Sequence, residues 1–145
     1  MAIRDLNKRP FIADRDVNTF IGIDLPFRKS DGPEGWFAST KTTIEAVKNN
    51  IKLLLQTQRG ERLMQPNLGI NLRKYLFEQL TSDTKSAIEN EISDTFSFWL
   101  PFVNINDLQV NISEGDTNNT INIFISFNIN KDPNVTESIQ ITIGE

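Results

Sequence analysis

The chain contains neither cysteine nor histidine. Without cysteine there is no disulfide framework and no thiolate metal site. Without histidine there is no Ser-His-Asp chemistry, no imidazole metal ligand and no side chain that ordinarily titrates near neutrality. No apolar run approaches the roughly 18 residues that a membrane-spanning helix requires. The charged opening, residues 1–10, is not followed by the apolar core of a signal peptide. The expectation is a soluble protein of intracellular origin with no membrane partner. Basic residues are scarce towards the end: residues 101–145 hold one, Lys131, against six acids, whereas residues 1–100 hold 14 against 13. A basic stripe of the nucleic-acid-binding kind is therefore missing. The acidic last third either keeps strands soluble or steers basic partners.

What remains is a 145-residue chain, 38% hydrophobic and 23% charged, which suits one globular domain rather than two well-buried cores. Residues 1–38 show no helical period. They carry Pro10, Pro26 and Pro33, the turn-rich stretch Ser30-Asp31-Gly32-Pro33-Glu34-Gly35, and short apolar clusters that include Phe11, Phe20 and Phe27. This predicts an extended arm with one short strand over residues 19–25. Such an arm must bury its aromatic side chains, either on its own domain or on a neighbour. Trp36 and Phe37 are placed to staple the first helix or to anchor a partner.

Residues 39–100 read as helical. Thr42 and Glu45 have capping-box spacing, with Ser39 or Thr40 as other caps, and Ile44, Val47, Ile51, Leu54 and Leu55 form an apolar stripe. That helix is expected to end near Gln58, with Gly60 as its stop. A helical turn is expected over residues 72–77. A longer helix capped by Ser82 or Asp83 carries Ile88, Ile92, Phe96 and Trp99 and ends at Pro101. The remainder alternates with period two: Leu108, Val110 and Ile112; then Ile121, Ile123, Ile125, Phe127 and Ile129; then Ile139, Ile141 and Ile143. Polar turns at residues 114–119 and 132–134 separate these runs. Alternation over such lengths means one buried and one wet face. The predicted fold class is α+β: two main helices packed on a small antiparallel β meander, with an extended N-terminal arm (residues 1–38) before a single domain (39–145).

Catalytic motifs are weak. The loop Arg59-Gly60-Glu61-Arg62 lacks the spacing of a phosphate-binding loop, and reads as a helix stop and sharp turn. Glu61 with Asp83 or Glu78 would make a carboxylate pair of the glycosidase kind, but nothing sets a second acid opposite Glu61. A salt bridge from Glu61 to Arg59 or Arg62 is the simpler expectation. No serine has a base or a nucleophile-elbow motif. The sequons at Asn111, Asn118 and Asn134 follow from an Asn-rich composition. Phe124, on the otherwise polar face of the central strand, is a candidate contact residue.

The run Gly60-Glu61-Arg62-Leu63-Met64-Gln65-Pro66-Asn67-Leu68-Gly69, followed by Leu72 and Leu76-Phe77-Glu78, resembles the small baseplate wedge proteins, or sheath initiators, of T4-like contractile phage tails. Their relatives serve type VI secretion and extracellular contractile injection baseplates. The shared pattern is a helix, Gly-x-Arg, Pro-x-x-Gly, an apolar-Phe-Glu turn, a long helix and a β meander, over roughly residues 39–143. Residues 22–27 are similar to N-terminal segments of phage members. One position departs. Where the family carries Glu-Pro-Arg after the long helix, this chain has Leu100-Pro101-Phe102, keeping the proline and losing both charges, so that packing by Leu100 and Phe102 would replace a charged contact.

The resemblance implies a structural, non-enzymatic protein with no cofactor and no nucleic-acid or membrane partner. It would be made in the host cytoplasm and built into the virion tail baseplate. It would stand once per wedge in a six-fold ring set by the assembly rather than by self-association. Its partners would be other wedge subunits and the sheath protein, whose terminal strands would pair with its sheet. The family-motif contacts would be Gly60, Arg62, Pro66, Gly69, Phe77 and Glu78. The candidate edges are the strands of residues 108–112 and 139–143; of these, that of Ile139, Ile141 and Ile143 is the expected accepting edge, with Phe124 as a contact residue beside it. Phe11, Phe20, Phe27 and Trp36 of the arm would meet the wedge. Two other readings are a peptidoglycan-degrading, lysozyme-like tail enzyme and a cytosolic protein-binding adaptor.

Overall fold

Three long strands carry most of the order. In a computed structural model that describes residues 20–30, 32, 35–78, 81–114, 119–130 and 132–144, β3 (Val103–Glu114), β4 (Asn119–Ile129) and β5 (Asp132–Gly144) pair antiparallel in the order β3-β4-β5. The register aligns the apolar positions in rows across the sheet: Val110, Ile123 and Ile141; Leu108, Ile125 and Ile139; Ile112, Ile121 and Ile143. Val110, Ile121, Ile123, Ile125, Phe127, Ile139 and Ile141 are buried. The α+β class and the antiparallel sheet are as the periodicity predicts.

β3 starts earlier than the alternation at Leu108 suggests. Ile105 pairs with Phe127 and Asp107 with Ser126, so Asn106 is an extra residue in a bulge. The bulge flips the inward parity: Val103 and Ile105 face the core before it, and Leu108, Val110 and Ile112 after it. The turn expected at residues 132–134 is displaced as well. Asp132 already pairs with Ile129, while Asn128 pairs with Thr136. Pro133, which has no N–H to give a ladder, sits in the irregular stretch between these pairs. The expected turn around Gly115, and Lys131, lie outside the described residues.

The molecule comprises two compact units, residues 1–51 and 52–145, whose division falls within helix α1 (Thr43–Gln56). In the first unit, β1 (Gly22–Ile23) pairs antiparallel with β2 (Ser39–Thr40), and a Lys29–Phe37 bridge continues the hairpin. Ser39 and Thr40, candidate caps from the sequence, are thus strand residues. The cap is Thr42, whose hydroxyl accepts from the Glu45 amide at 3.3 Å. Asn49 of α1 is buried and donates to the Ile23 carbonyl at 3.3 Å. Arg28 pairs with Asp24. Phe27 and Phe37 meet edge to face at 6.0 Å between centroids.

In the second unit, α2 (Leu72–Tyr75) is the short helical turn, with Leu76 and Phe77 continuing it as turn residues. α3 (Ser82–Trp99) packs on β3 and buries Ile88, Ile92, Thr95 and Phe96. Its cap is Thr81, whose hydroxyl accepts from the Thr84 amide, rather than Ser82 or Asp83. The helix stops before Pro101, with Leu100 out of helical geometry at φ −128°, ψ 58°. Trp99 is half-buried, against Phe98 at 5.1 Å.

Candidate assembly interface

Two features of the second unit are candidate contact surfaces: a hydrogen-bonded loop between α1 and α2, and the outer edge of β5. Residues 57–70 leave α1 and return to their starting point. The Ile70 amide donates to the Thr57 carbonyl at 2.9 Å, closing the base, and the Gly60 amide donates to the Pro66 carbonyl at 2.8 Å, closing the waist. Gly60 and Gly69 hold φ of 88° and 104°, which glycine tolerates and L side chains rarely adopt. Gly60, Pro66 and Gly69 therefore shape the loop, with Gly60 and Pro66 exposed on its surface. Gly60 sits in the turn beyond a helix that already ends at Gln56.

Arg59 ties this loop to the helices. Its amide donates to Asn71 Oδ1 at 3.1 Å, its Nε to the Gly69 carbonyl at 3.1 Å, and its Nη2 reaches Thr95 Oγ1 at 3.5 Å. Its guanidinium lies 3.9 Å from Glu91. Glu91 also accepts from the Tyr75 hydroxyl at 2.7 Å and stands 3.5 Å from Lys74, whose ammonium lies 4.4 Å from the centroid of the Tyr75 ring. Burial and the hydrogen bond to Glu91 push the Tyr75 pKa up. Lys74 is also raised, chiefly through its hydrogen bond to Tyr75. None of Arg59, Tyr75 and Glu91 is marked as a site by the sequence, because their partners are brought together by the fold.

Glu61 does not bridge to Arg59 or Arg62. Its carboxylate accepts from the Gln58 amide at 3.1 Å and closes a turn, while Arg59 turns to Glu91. Arg62 and Glu78 are exposed. The loop tip carries Leu63 and Met64, 95% and 92% exposed, and Phe77 is 88% exposed. Leu63 and Met64 on the loop, and Phe77 after α2, thus leave large apolar side chains exposed, which makes them candidate contact residues.

The departed motif forms a joint. Leu100 is buried, its amide donating to the Phe96 carbonyl at 2.8 Å. The Pro101 carbonyl accepts from Asn130 Nδ2 at 3.2 Å, and the Phe102 carbonyl accepts from the Asn130 amide at 2.9 Å. These contacts join the end of α3 to the β4–β5 connection, with Pro101 and Phe102 facing outward.

The sheet has two outer edges. β3 is interrupted by its bulge and carries Asp107. β5 runs in unbroken register from Thr136 to Gly144, and residues 138–144 contain no charge and no proline. Ile139 and Ile141 point into the core, Ile143 is half-buried, and Phe124 is half-buried on the opposite face beside Gln140. What β5 offers sideways is backbone. Beside its end a cleft of about 470 Å³ opens, lined by the apolar Leu55, Ile70, Leu72, Leu76, Phe77 and Ile143 and by the polar Gln56, Gln58, Arg73 and Thr142.

In the first unit, Phe20, Phe27 and Trp36 are exposed, Trp36 by 79%. Lys41 and Lys29 lie 5.9 Å from the rings of Phe20 and Trp36. Phe11 lies outside the described residues.

A model of the family described as baseplate wedge protein gp25 matches residues 41–134. The chain belongs to the gp25 family of baseplate wedge proteins. The gp25 protein of Enterobacteria phage T4 is 26% identical over 101 residues, which span 70% of this chain and 75% of that protein. A crystal structure from Geobacter sulfurreducens, of a protein provisionally named a tail lysozyme, superposes with a TM-score of 0.57 at 25% identity, over 70% of this chain and 90% of that one. A chain of the anti-feeding prophage baseplate shares the fold, with a TM-score of 0.56 at 19% identity over 83% of this chain and 81% of its own. The gp25 match takes in α1, the braced loop, α2, α3, β3 and β4, and ends before the uncharged stretch of β5. No group of three or more metal-binding side chains occurs among the described residues, and no helix there is long and apolar enough to cross a membrane.

Proposed function

We propose that this chain is a structural component of the baseplate wedge of a contractile tail, and that it links the wedge to the tail sheath by accepting a strand of the sheath protein at β5. The observation that carries the second part is the β5 edge at residues 138–144, which has no strand partner among the described residues and is regular, uncharged and free of proline. Edge strands are usually blunted by lysine, proline or bulges, because unpaired N–H and C=O groups recruit other strands. β3 carries such a bulge and β5 does not over this stretch. An added strand would satisfy the edge groups by β-augmentation, with the ladder giving affinity and alternating side chains fixing register. The braced loop with Arg62, Leu63 and Met64, the Phe77 side chain after α2, and the hairpin aromatics Phe20, Phe27 and Trp36 would face other wedge subunits. Six copies would be arranged by the baseplate ring, without contact between them.

The test is co-assembly. Mixed with the sheath protein of its own particle, the chain nucleates sheath-like polymers and shortens their lag. Unchanged sheath assembly in its presence would reject the sheath link.

The name given to the Geobacter relative favours a second reading, a cell-wall hydrolase. Against it, Glu61 is exposed and engaged by a backbone amide, whereas a glycosidase acid needs an apolar pocket and a carboxylate opposite. A peptidoglycan turbidity assay decides: no clearing is expected, and lysis abolished by Glu61→Gln would establish the hydrolase.

A further inference from the structure

We infer that the cleft at the end of β5 is an anchor socket, which takes one large apolar side chain of the incoming strand and pairs a neighbouring carboxylate of that strand with Arg73. The inference rests on the reading of β5 as the accepting edge. Among the described residues, the sheet supplies β5 residues to the cleft: Thr142, Ile143 and Gly144. The opening therefore lies to the outer side of the sheet, where an added strand would run. Leu55, Ile70, Leu72 and Leu76 line its interior, and Phe77 stands at its wall. The Asn119 side chain donates to the Leu76 carbonyl at 2.9 Å and links the end of α2 to the start of β4.

Geometry then restricts the occupant. Ile143 belongs to the inward row of β5. In a paired strand the residue opposite an inward residue also points inward. The partner residue beside Ile143 consequently points into the cleft. An apolar side chain there removes from water the apolar part of the lining, Leu55, Ile70, Leu72 and Leu76, while Gln56, Gln58 and Arg73 supply its polar part. Arg73 lines the same cleft, is exposed, and makes no ion pair or side-chain hydrogen bond among the described residues. Guanidinium is suited to a carboxylate held in a fixed position. Backbone pairing alone accepts almost any sequence, so a socket at one position is what would make this edge selective.

The test uses the full chain and a synthetic peptide spanning the terminal strand of the particle's sheath protein, with its residues replaced by alanine one at a time. Binding is followed by titration, and hydrogen exchange of the β5 amides is recorded in parallel. One apolar residue is expected to dominate, its replacement weakening binding about tenfold or more. Phe77→Ala is expected to shrink that difference, and Arg73→Gln to weaken the peptide and flatten its salt dependence; both residues are exposed, so neither change threatens the fold. If the β5 amides gain protection while every alanine peptide binds equally, the socket is refuted and the strand reading stands. If the β5 amides gain no protection at all, the strand reading fails and the socket with it.

Discussion

A β-carbon on Gly69 would lie 2.1 Å from the Thr57 carbonyl oxygen, the same oxygen that accepts the Ile70 amide. The loop between α1 and α2 closes only because residue 69 has no side chain. Gly69→Ala therefore combines a positive φ with a clash against backbone that has no rotamer to yield, and is expected to cost more than about 3 kcal/mol. Gly60→Ala meets nothing within 4 Å and incurs only the conformational term, about 1–2 kcal/mol. Urea unfolding of the two variants checks the order; equal losses would mean that the loop relaxes around residue 69.

The same loop shows what a sequence can and cannot tell. Period two is legible wherever parity holds, so β4 and the inward isoleucines of β5 stand out. Parity breaks at Asn106, and the first residues of β3 disappear from the pattern although Val103, Asn104 and Ile105 pair with β4. Helix stripes are legible because they are local. Thr81 was hidden as a cap by the adjacent Ser82 and Asp83, which are equally good by type. The motif Gly60, Pro66 and Gly69 is visible as turn chemistry, but the brace that holds it is not, since Arg59 and Thr95 stand 36 residues apart. β2 escaped because two residues carry no period, and only their pairing with Gly22 and Ile23 defines them.

The Tyr75 hydroxyl and Glu91 carboxylate predict an alkaline limit. Both Tyr75 and Lys74 have pKa values raised above 10.0 and 10.5, their ordinary values. A raised pKa means that the folded state holds its proton more tightly than the unfolded chain. The stability so gained is full below about pH 10 and is lost as pH climbs through the folded-state values. Tyr75 is the chain's only tyrosine, so phenolate absorbance follows it directly and is expected to titrate late in the folded protein and normally in urea. Tyr75→Phe is expected to cost about 1–2 kcal/mol near neutrality, for one hydrogen bond to a charged group whose other partners remain, and to flatten the alkaline decline.

An acid limit belongs to the hairpin of the first unit. The Arg28 side chain, with help from Asn49, holds the Asp24 pKa below 3.8 against an opposing desolvation effect. Because the folded value is depressed, the contribution is full above the unfolded pKa and fades as pH falls through the folded one. Hydrogen exchange at Asp24 and Ala38, whose amides donate to Ala38 and Arg28 carbonyls at 2.9 Å, is expected to lose protection below about pH 4. Asp24→Asn is expected to remove most of this dependence while leaving the neutral-pH fold intact. A hairpin whose protection ignores acid in both proteins would show that the ion pair contributes nothing to it.

The open edge of β5 leads to a prediction that separates stability from assembly. Ser138 and Gln140 are exposed on the outer face of the sheet, paired with Ser126 and Phe124. Lysines there restore the charge by which exposed edges are ordinarily kept from recruiting strands. The double change Ser138→Lys with Gln140→Lys removes no buried group, so the free energy of unfolding is expected to stay within about 0.5 kcal/mol of the parent. Sheath nucleation is expected to fall steeply all the same, because an incoming strand must now run alongside two ammonium groups. As a control, matching lysines on the bulged edge at Asn104 and Gln109, both exposed, are expected to leave nucleation unchanged. Loss of nucleation from the β3 pair but not from the β5 pair would move the accepting edge to the other side of the sheet.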